Sequence, residues 1–139
     1  MQQMASIVQR ERSCHDQAAR VITATCHCGA VRIDIAMPPK QLTECNCSIC
    51  RKLGALWAYY TRDQVAFIMA PGATIGYAQG EKTLETHHCR TCGCTTHWAS
   101  LGPEHPDRVA VNARLFPPED RAGIPVRQFD GAETWTYLD

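Results

Sequence analysis

The chain reads as a mostly-β single domain with little helix, whose turns are built to hold metal. Three observations lead there. Short apolar runs alternate with a two-residue period and are separated by Gly and Pro turn signals. The best helical candidates run to a turn or two. Eight of the nine cysteines fall into close-spaced groups. A length of 139 residues suits one such domain.

Residues 1–20 lack clear periodicity and form an N-terminal arm outside the domain, which spans 21–139. Residues 21–25 read as a strand. Residues 31–35 alternate apolar and charged side chains as a half-buried strand does, so the first cysteine pair sits at a strand–turn–strand corner. Residues 56–61 form an aromatic-rich strand with Trp57 and Tyr59 on one face and Tyr60 on the other. Strands over 65–69, 74–79 and 82–87 follow, separated by Pro71-Gly72 and Gly80-Glu81. Residues 94–99 and 108–111 complete the set. Helical turns are expected at 48–53 and at 118–122, the second with Pro118 early and Gly123 ending it. Trp135 and Tyr137 stand at strand spacing, so the tail 129–139 is expected to pack back onto the body.

Fourteen basic and fourteen acidic side chains balance, and no run concentrates Lys or Arg. A basic nucleic-acid face therefore has little support. The first 20 residues hold no apolar stretch of signal-peptide length. The most apolar stretch, 65–77, is broken by Pro71 and Gly72 and is too short to span a bilayer. The expectation is a soluble, cytoplasmic protein with no membrane or nucleic-acid partner.

An odd cysteine count without an export signal argues against disulfides. Cys14 stands alone. The others fall as Cys26-x-Cys28, Cys45-x-Cys47-x-x-Cys50 and Cys89-x-x-Cys92-x-Cys94. Tight turns of this kind collect thiolates around one tetrahedral zinc. Gly29 follows Cys28 and Gly93 follows Cys92. A knuckle turns sharply after its second cysteine so that backbone N–H groups point at the sulfurs, and glycine takes that conformation without steric cost. Cys26, Cys28, Cys89 and Cys92 are thus expected to close a structural four-thiolate zinc site.

The middle cluster lacks that glycine and supplies only Cys45, Cys47 and Cys50. Either another protein ligand closes it, from Cys94, His97, His87 or His88, or its fourth position is open, as in a catalytic zinc. Cys94 is the strongest rival, although its place two residues after a knuckle cysteine aims it elsewhere. An open three-thiolate zinc readily binds and deprotonates another thiol. Arg51 and Lys52 favour an anionic ligand, with Arg51 a candidate contact for the substrate's negative charge. Trp57, Tyr59 and Tyr60 either wall a pocket or pack the core. A small anionic thiol is the substrate class this chemistry suggests.

The segments CHCGAVRI (26–33), CNCSICRK (45–52) and HHCRTCGCTTHW (87–98) resemble, in order and spacing, the family of glutathione-dependent formaldehyde-activating enzymes, whose domain is shared with centromere protein V. VNARLF (111–116) and FDGAETWTYLD (129–139) look like its bacterial branch. The resemblance implies a β-tent fold and two zincs per chain, the structural one on Cys26, Cys28, Cys89 and Cys92 and the catalytic one on Cys45, Cys47 and Cys50. It implies a carbon–sulfur lyase of the S-(hydroxymethyl)glutathione synthase kind, with glutathione and formaldehyde as partners. The family's middle motif commonly reads Cys-His-Cys, whereas Asn46 stands here, so any proton transfer by that histidine is lost. A zinc-built protein-binding module, or a thiol or zinc carrier without turnover, is the alternative use of the same scaffold.

Overall fold

Two β-sheets packed across one apolar core make up residues 21–139, which are the residues described by the computed structural model. The expected arm 1–20 and Cys14 lie outside them. In chain order the first strands are β1 (Ile22–Thr25), β2 (Arg32–Ile35), β3 (Leu42–Cys45), β4 (Trp57–Thr61) and β5 (Val65–Ile68). The others are β6 (Thr74–Ala78), β7 (Leu84–Cys89), β8 (Thr95–Ser100), β9 (Arg108–Asn112) and β10 (Val126–Phe129). Strands β1-β2-β5 form a small antiparallel sheet, and β10-β3-β4-β9-β8-β7-β6 form a seven-stranded one.

Alternation along the strands decides what each face does. From the small sheet, Ile22, Ala24, Ile33 and Ile35 turn inward; from the large one, Leu42, Ala58, Tyr60, Val109 and Val111 meet them in one cluster. Each such aliphatic side chain contributes about 1.5–3 kcal/mol on full burial. The opposite face of the large sheet is also covered at its centre, where Trp57, Trp98, Ala55 and Ala110 pack together. The expected division of Trp57 and Tyr59 from Tyr60 therefore holds, and the Tyr60 hydroxyl donates to the Met37 carbonyl at 3.0 Å.

The helices are as short as expected. α1 (Cys50–Leu53) ends on Gly54, whose left-handed φ of 66° lets its N–H reach the Cys50 carbonyl. α2 (Pro118–Arg121) begins on its proline. Among the described residues no helix is long and apolar enough to cross a membrane.

Some expectations change. The strand placed at 82–87 is Leu84–Cys89, because Lys82 (φ 57°) and Gly80 (φ 57°) make the preceding turn. That shift carries the strand up to its cysteine. The strand placed at 94–99 is Thr95–Ser100. β3 and β10 stand outside the expected strands; they pair in parallel, with Cys45 opposite Phe129. The tail does pack back onto the body, as a loop closed by a bridge from Phe129 to Tyr137, with the Tyr137 and Thr43 hydroxyls 2.9 Å apart.

Candidate functional site

The turn after β1 carries Cys26 and Cys28, while Cys89 ends β7 and Cys92 sits in the turn before β8. The four sulfurs lie within 4.8 Å of one another. Cys26 and Cys28 are 3.7 Å apart and Cys28 and Cys89 are 3.6 Å apart. A disulfide needs about 2.05 Å. Thiolates about 2.3 Å from one tetrahedral ion stand about 3.8 Å from each other, so the donor set fits zinc. Gly29 and Gly93 take φ of 83° and 81°, the left-handed turn that their place after a cysteine predicts. Val31 N–H donates to Cys26 Sγ at 3.3 Å and Cys92 N–H to Cys89 Sγ at 3.5 Å. Backbone N–H groups of Cys94 and Cys28 draw the Cys92 thiol down to about 5. The group joins a turn of the small sheet to a hairpin of the large one.

The second group forms without a glycine knuckle. Cys45 ends β3, Cys47 lies in the following turn and Cys50 opens α1, and their sulfurs also lie within 4.8 Å of one another. The helix start does what the knuckle glycine does elsewhere: Cys50 N–H donates to Cys47 Sγ at 3.4 Å. Against the upward pull of burial, that N–H draws the Cys47 thiol below its ordinary value. From β4 the Trp57 indole N–H donates to Cys50 Sγ at 3.3 Å.

No other cysteine and no histidine among the described residues joins this group. Cys94 sits at the four-cysteine end, where its carbonyl accepts from Cys89 N–H at 2.9 Å. His87 and His97 pair across β7 and β8 and stack at 4.5 Å. Their neighbours Thr86 and Trp98 face the cavity described below, so alternation turns both imidazoles to the other side. There His97, 4% exposed, packs on Phe67 of the small sheet at 4.5 Å.

A cavity of about 850 Å³ opens over the three cysteines. Its aromatic walls come from β4, β8 and the tail: Trp57, Tyr59, Trp98, Phe129, Trp135 and Tyr137. Among the described residues, Arg51 and Arg108 are its cations, and no carboxylate or imidazole lines it. Lys52, expected beside Arg51, is exposed on α1 and absent from the lining, as is Tyr60. Desolvation at its phenol end, then the neighbouring Tyr137, pushes the Tyr59 hydroxyl's pKa upward, although 43% of the residue stays exposed. Gly131 gives the tail its closest approach: a Cβ there would stand 2.5 Å from Cys45 Sγ.

Trp98, Arg108 and the tail loop were not singled out by sequence spacing as parts of this site. Trp98 does lie inside the last cysteine motif, and the tail was expected to return, but only pairing across the sheet brings them here.

The sequence profile described as glutathione-dependent formaldehyde-activating enzyme matches residues 21–129. The chain belongs to that family. A curated relative from Halomonas elongata, named "Putative glutathione-dependent formaldehyde-activating enzyme", is 30% identical, over 75% of this chain and 74% of its own. A crystal structure of a Rhodobacter sphaeroides protein is similar at 29% identity and a TM-score of 0.62, over 75% of this chain and 98% of the other. Membership in the formaldehyde-activating family agrees with a cavity that sets three cysteine sulfurs beside two arginines.

Proposed function

We infer that the protein is a zinc-dependent carbon–sulfur lyase of the S-(hydroxymethyl)glutathione synthase kind, working in the cytoplasm, where small thiols stay reduced. In the joining direction the thiol sulfur bonds to the formaldehyde carbon, the carbonyl π bond opens, and the thiol proton ends on the new hydroxyl oxygen. No electron acceptor is needed. The observation that supports this reading most is a group of three thiols that, among the described residues, has no fourth ligand and lies under a cavity lined by two cations and no carboxylate. Cys45, Cys47 and Cys50 would hold the catalytic zinc, and Cys26, Cys28, Cys89 and Cys92 the structural one. Bound there, zinc supplies a Lewis acid that lowers the pKa of an incoming thiol.

The remaining work falls to side chains. Trp57 holds the Cys50 sulfur through its indole N–H and fixes its direction. Trp57 and Trp98, both buried, give the adduct an apolar floor. Arg51, next to Cys50, meets negative charge close to the sulfur. Arg108 meets it farther off: it opposes Thr61 on β4, four residues along the strand from Trp57, or about 14 Å at about 3.4 Å per residue. Two cations at different depths suit a thiol that carries more than one carboxylate, as glutathione does.

Exchange between glutathione, formaldehyde and the adduct, followed by NMR, tests the activity. Zinc-loaded protein should speed it, and Cys47→Ser should abolish the gain. Arg108→Gln should raise KM about tenfold with little change in kcat, the loss of a hydrogen bond to a charged group. Exchange no faster than the uncatalysed reaction would refute the glutathione reading.

A further inference from the structure

Position 46 lies between two cysteines of the second group, and its asparagine is the point where this chain departs from the family's usual histidine. Its backbone N–H and both polar atoms of its side chain reach one stretch of the tail. The Asn46 backbone N–H donates to the Phe129 carbonyl at 3.2 Å. Its Nδ2 donates to Asp130 Oδ1 at 3.0 Å, and its Oδ1 accepts from Ala132 N–H at 3.0 Å. Asp130, only 8% exposed, then organises the loop on itself. Its Oδ2 accepts from Thr134 N–H at 3.2 Å and from Thr134 Oγ1 at 2.9 Å. Its carbonyl accepts from Trp135 N–H at 2.7 Å, and its N–H donates to the Thr136 carbonyl at 2.8 Å.

A carboxamide is the group this arrangement requires, because it donates and accepts at once. A carboxylate at 46 would meet the Asp130 carboxylate with no proton between them. The amide carries no exchangeable charge, so it is not a substitute proton carrier. What it does is geometric: the stretch it ties down carries Gly131 against Cys45 Sγ and Trp135 into the cavity wall. Among the described residues no strand covers 130–136, and one bridge, from Phe129 to Tyr137, closes the segment at its base.

We propose that Asn46 and Asp130 form a latch holding the Gly131 and Trp135 segment as a wall of the reaction cavity, with Asn46 a positioning residue for the thiol substrate. This rests on the reading of that cavity as the reaction site, while two of its readouts, amide exchange and the cobalt spectrum, stand apart from glutathione binding.

Asn46→Asp is the disrupting variant, and Asn46→Asp combined with Asp130→Asn is the rescue. In the double variant the donor and acceptor roles exchange: the new amide at 130 donates to 46 and still accepts from Thr134, while 46 still accepts from Ala132. Three readouts are taken on zinc-loaded protein, with a cobalt-substituted sample for the third. They are amide hydrogen exchange at Ala132 and Thr134, glutathione affinity by calorimetry, and the absorption spectrum of cobalt(II) at the three-cysteine group. Asn46→Asp should lose protection at both amides, bind glutathione about tenfold or more weakly and shift the cobalt bands. The double variant should recover all three. Unchanged protection in Asn46→Asp would overturn the latch. Protection recovered by the double variant without recovered affinity would overturn the positioning role. If wild-type protein takes up no glutathione, the substrate reading fails on its own; amide exchange and the cobalt spectrum then decide the latch, and bands identical in wild type and Asn46→Asp would overturn it.

Discussion

Replacing Gly131 by alanine tests how tightly the tail loop is set against the second cysteine group. The added Cβ would stand 2.5 Å from Cys45 Sγ and 3.2 Å from Cys47 Cβ. Ordinary contacts between such atoms lie near 3.5–4.0 Å, so the overlap with the sulfur is about 1 Å. Gly131 is not among the residues with positive φ, so alanine adds no backbone strain and the effect is steric. Relief requires either the loop or Cys45 to move. The loop is tied through Asn46, and Cys45 is the last residue of a paired strand, so neither moves freely. Overpacking of this size costs about 1–3 kcal/mol, which is about 5- to 150-fold in metal affinity at the adjoining site. Competition against a chromophoric zinc chelator should show the weaker-held zinc released at correspondingly lower chelator concentration, with the other unaffected. Gly102→Ala is the control, since its Cβ would meet nothing nearer than the Thr83 carbonyl at 3.9 Å. Equal zinc affinity in Gly131→Ala and wild type would refute the claim that this close approach constrains the site.

Cys45→Ser should lower metal content from two zincs per chain to one while the circular dichroism of the fold persists, whereas Cys26→Ser should fold poorly, since its group joins the two sheets. Metal analysis giving one zinc in wild type would remove the two-site reading. Trp57→Phe deletes the indole bond to Cys50 Sγ at 3.3 Å; zinc at the three-cysteine group should weaken several-fold, about the worth of one hydrogen bond, by the same chelator competition. His97 provides the pH test. Burial first, then His87 and Arg62, lowers its pKa to about 3, against about 6.5 in the unfolded chain. Below 6.5 the unfolded chain takes a proton that the folded one refuses. Stability should therefore fall as pH drops, by up to about 1.4 kcal/mol per unit, and this contribution should level off near the folded pKa. Urea unfolding of wild type and His97→Gln isolates it, because acid effects on the thiolates are common to both. Identical slopes would show that His97 does not carry it.

What could be read before folding was what a few consecutive bonds control. Alternation in 31–35 and 57–60 places side chains on opposite faces wherever the strand lies, and Gly29 and Gly93 take the turn conformation that their place after a cysteine requires. The cysteine spacing likewise brings Cys45, Cys47 and Cys50 together within one turn. The histidines and Cys94 could not be sorted that way. Whether His97 faces the thiols or the core depends on which side of the large sheet the small sheet covers, and that is settled by packing against Phe67. β3 and β10 carry no apolar–polar alternation that marks a strand locally: Thr43 is buried beside Leu42, Val126 is exposed, and their mutual pairing joins positions more than eighty apart.

The sequence by itself therefore determined the protein's class and its two thiol groups, because turn geometry and strand period are local properties of the chain. Only the tertiary structure decided what surrounds the second group: a cavity walled by β4, β8 and the tail, cations at two depths, and Asn46 bonded to Asp130. Those contacts join residues far apart in the chain, and the packing of two sheets, which no local pattern encodes, brings them to one place.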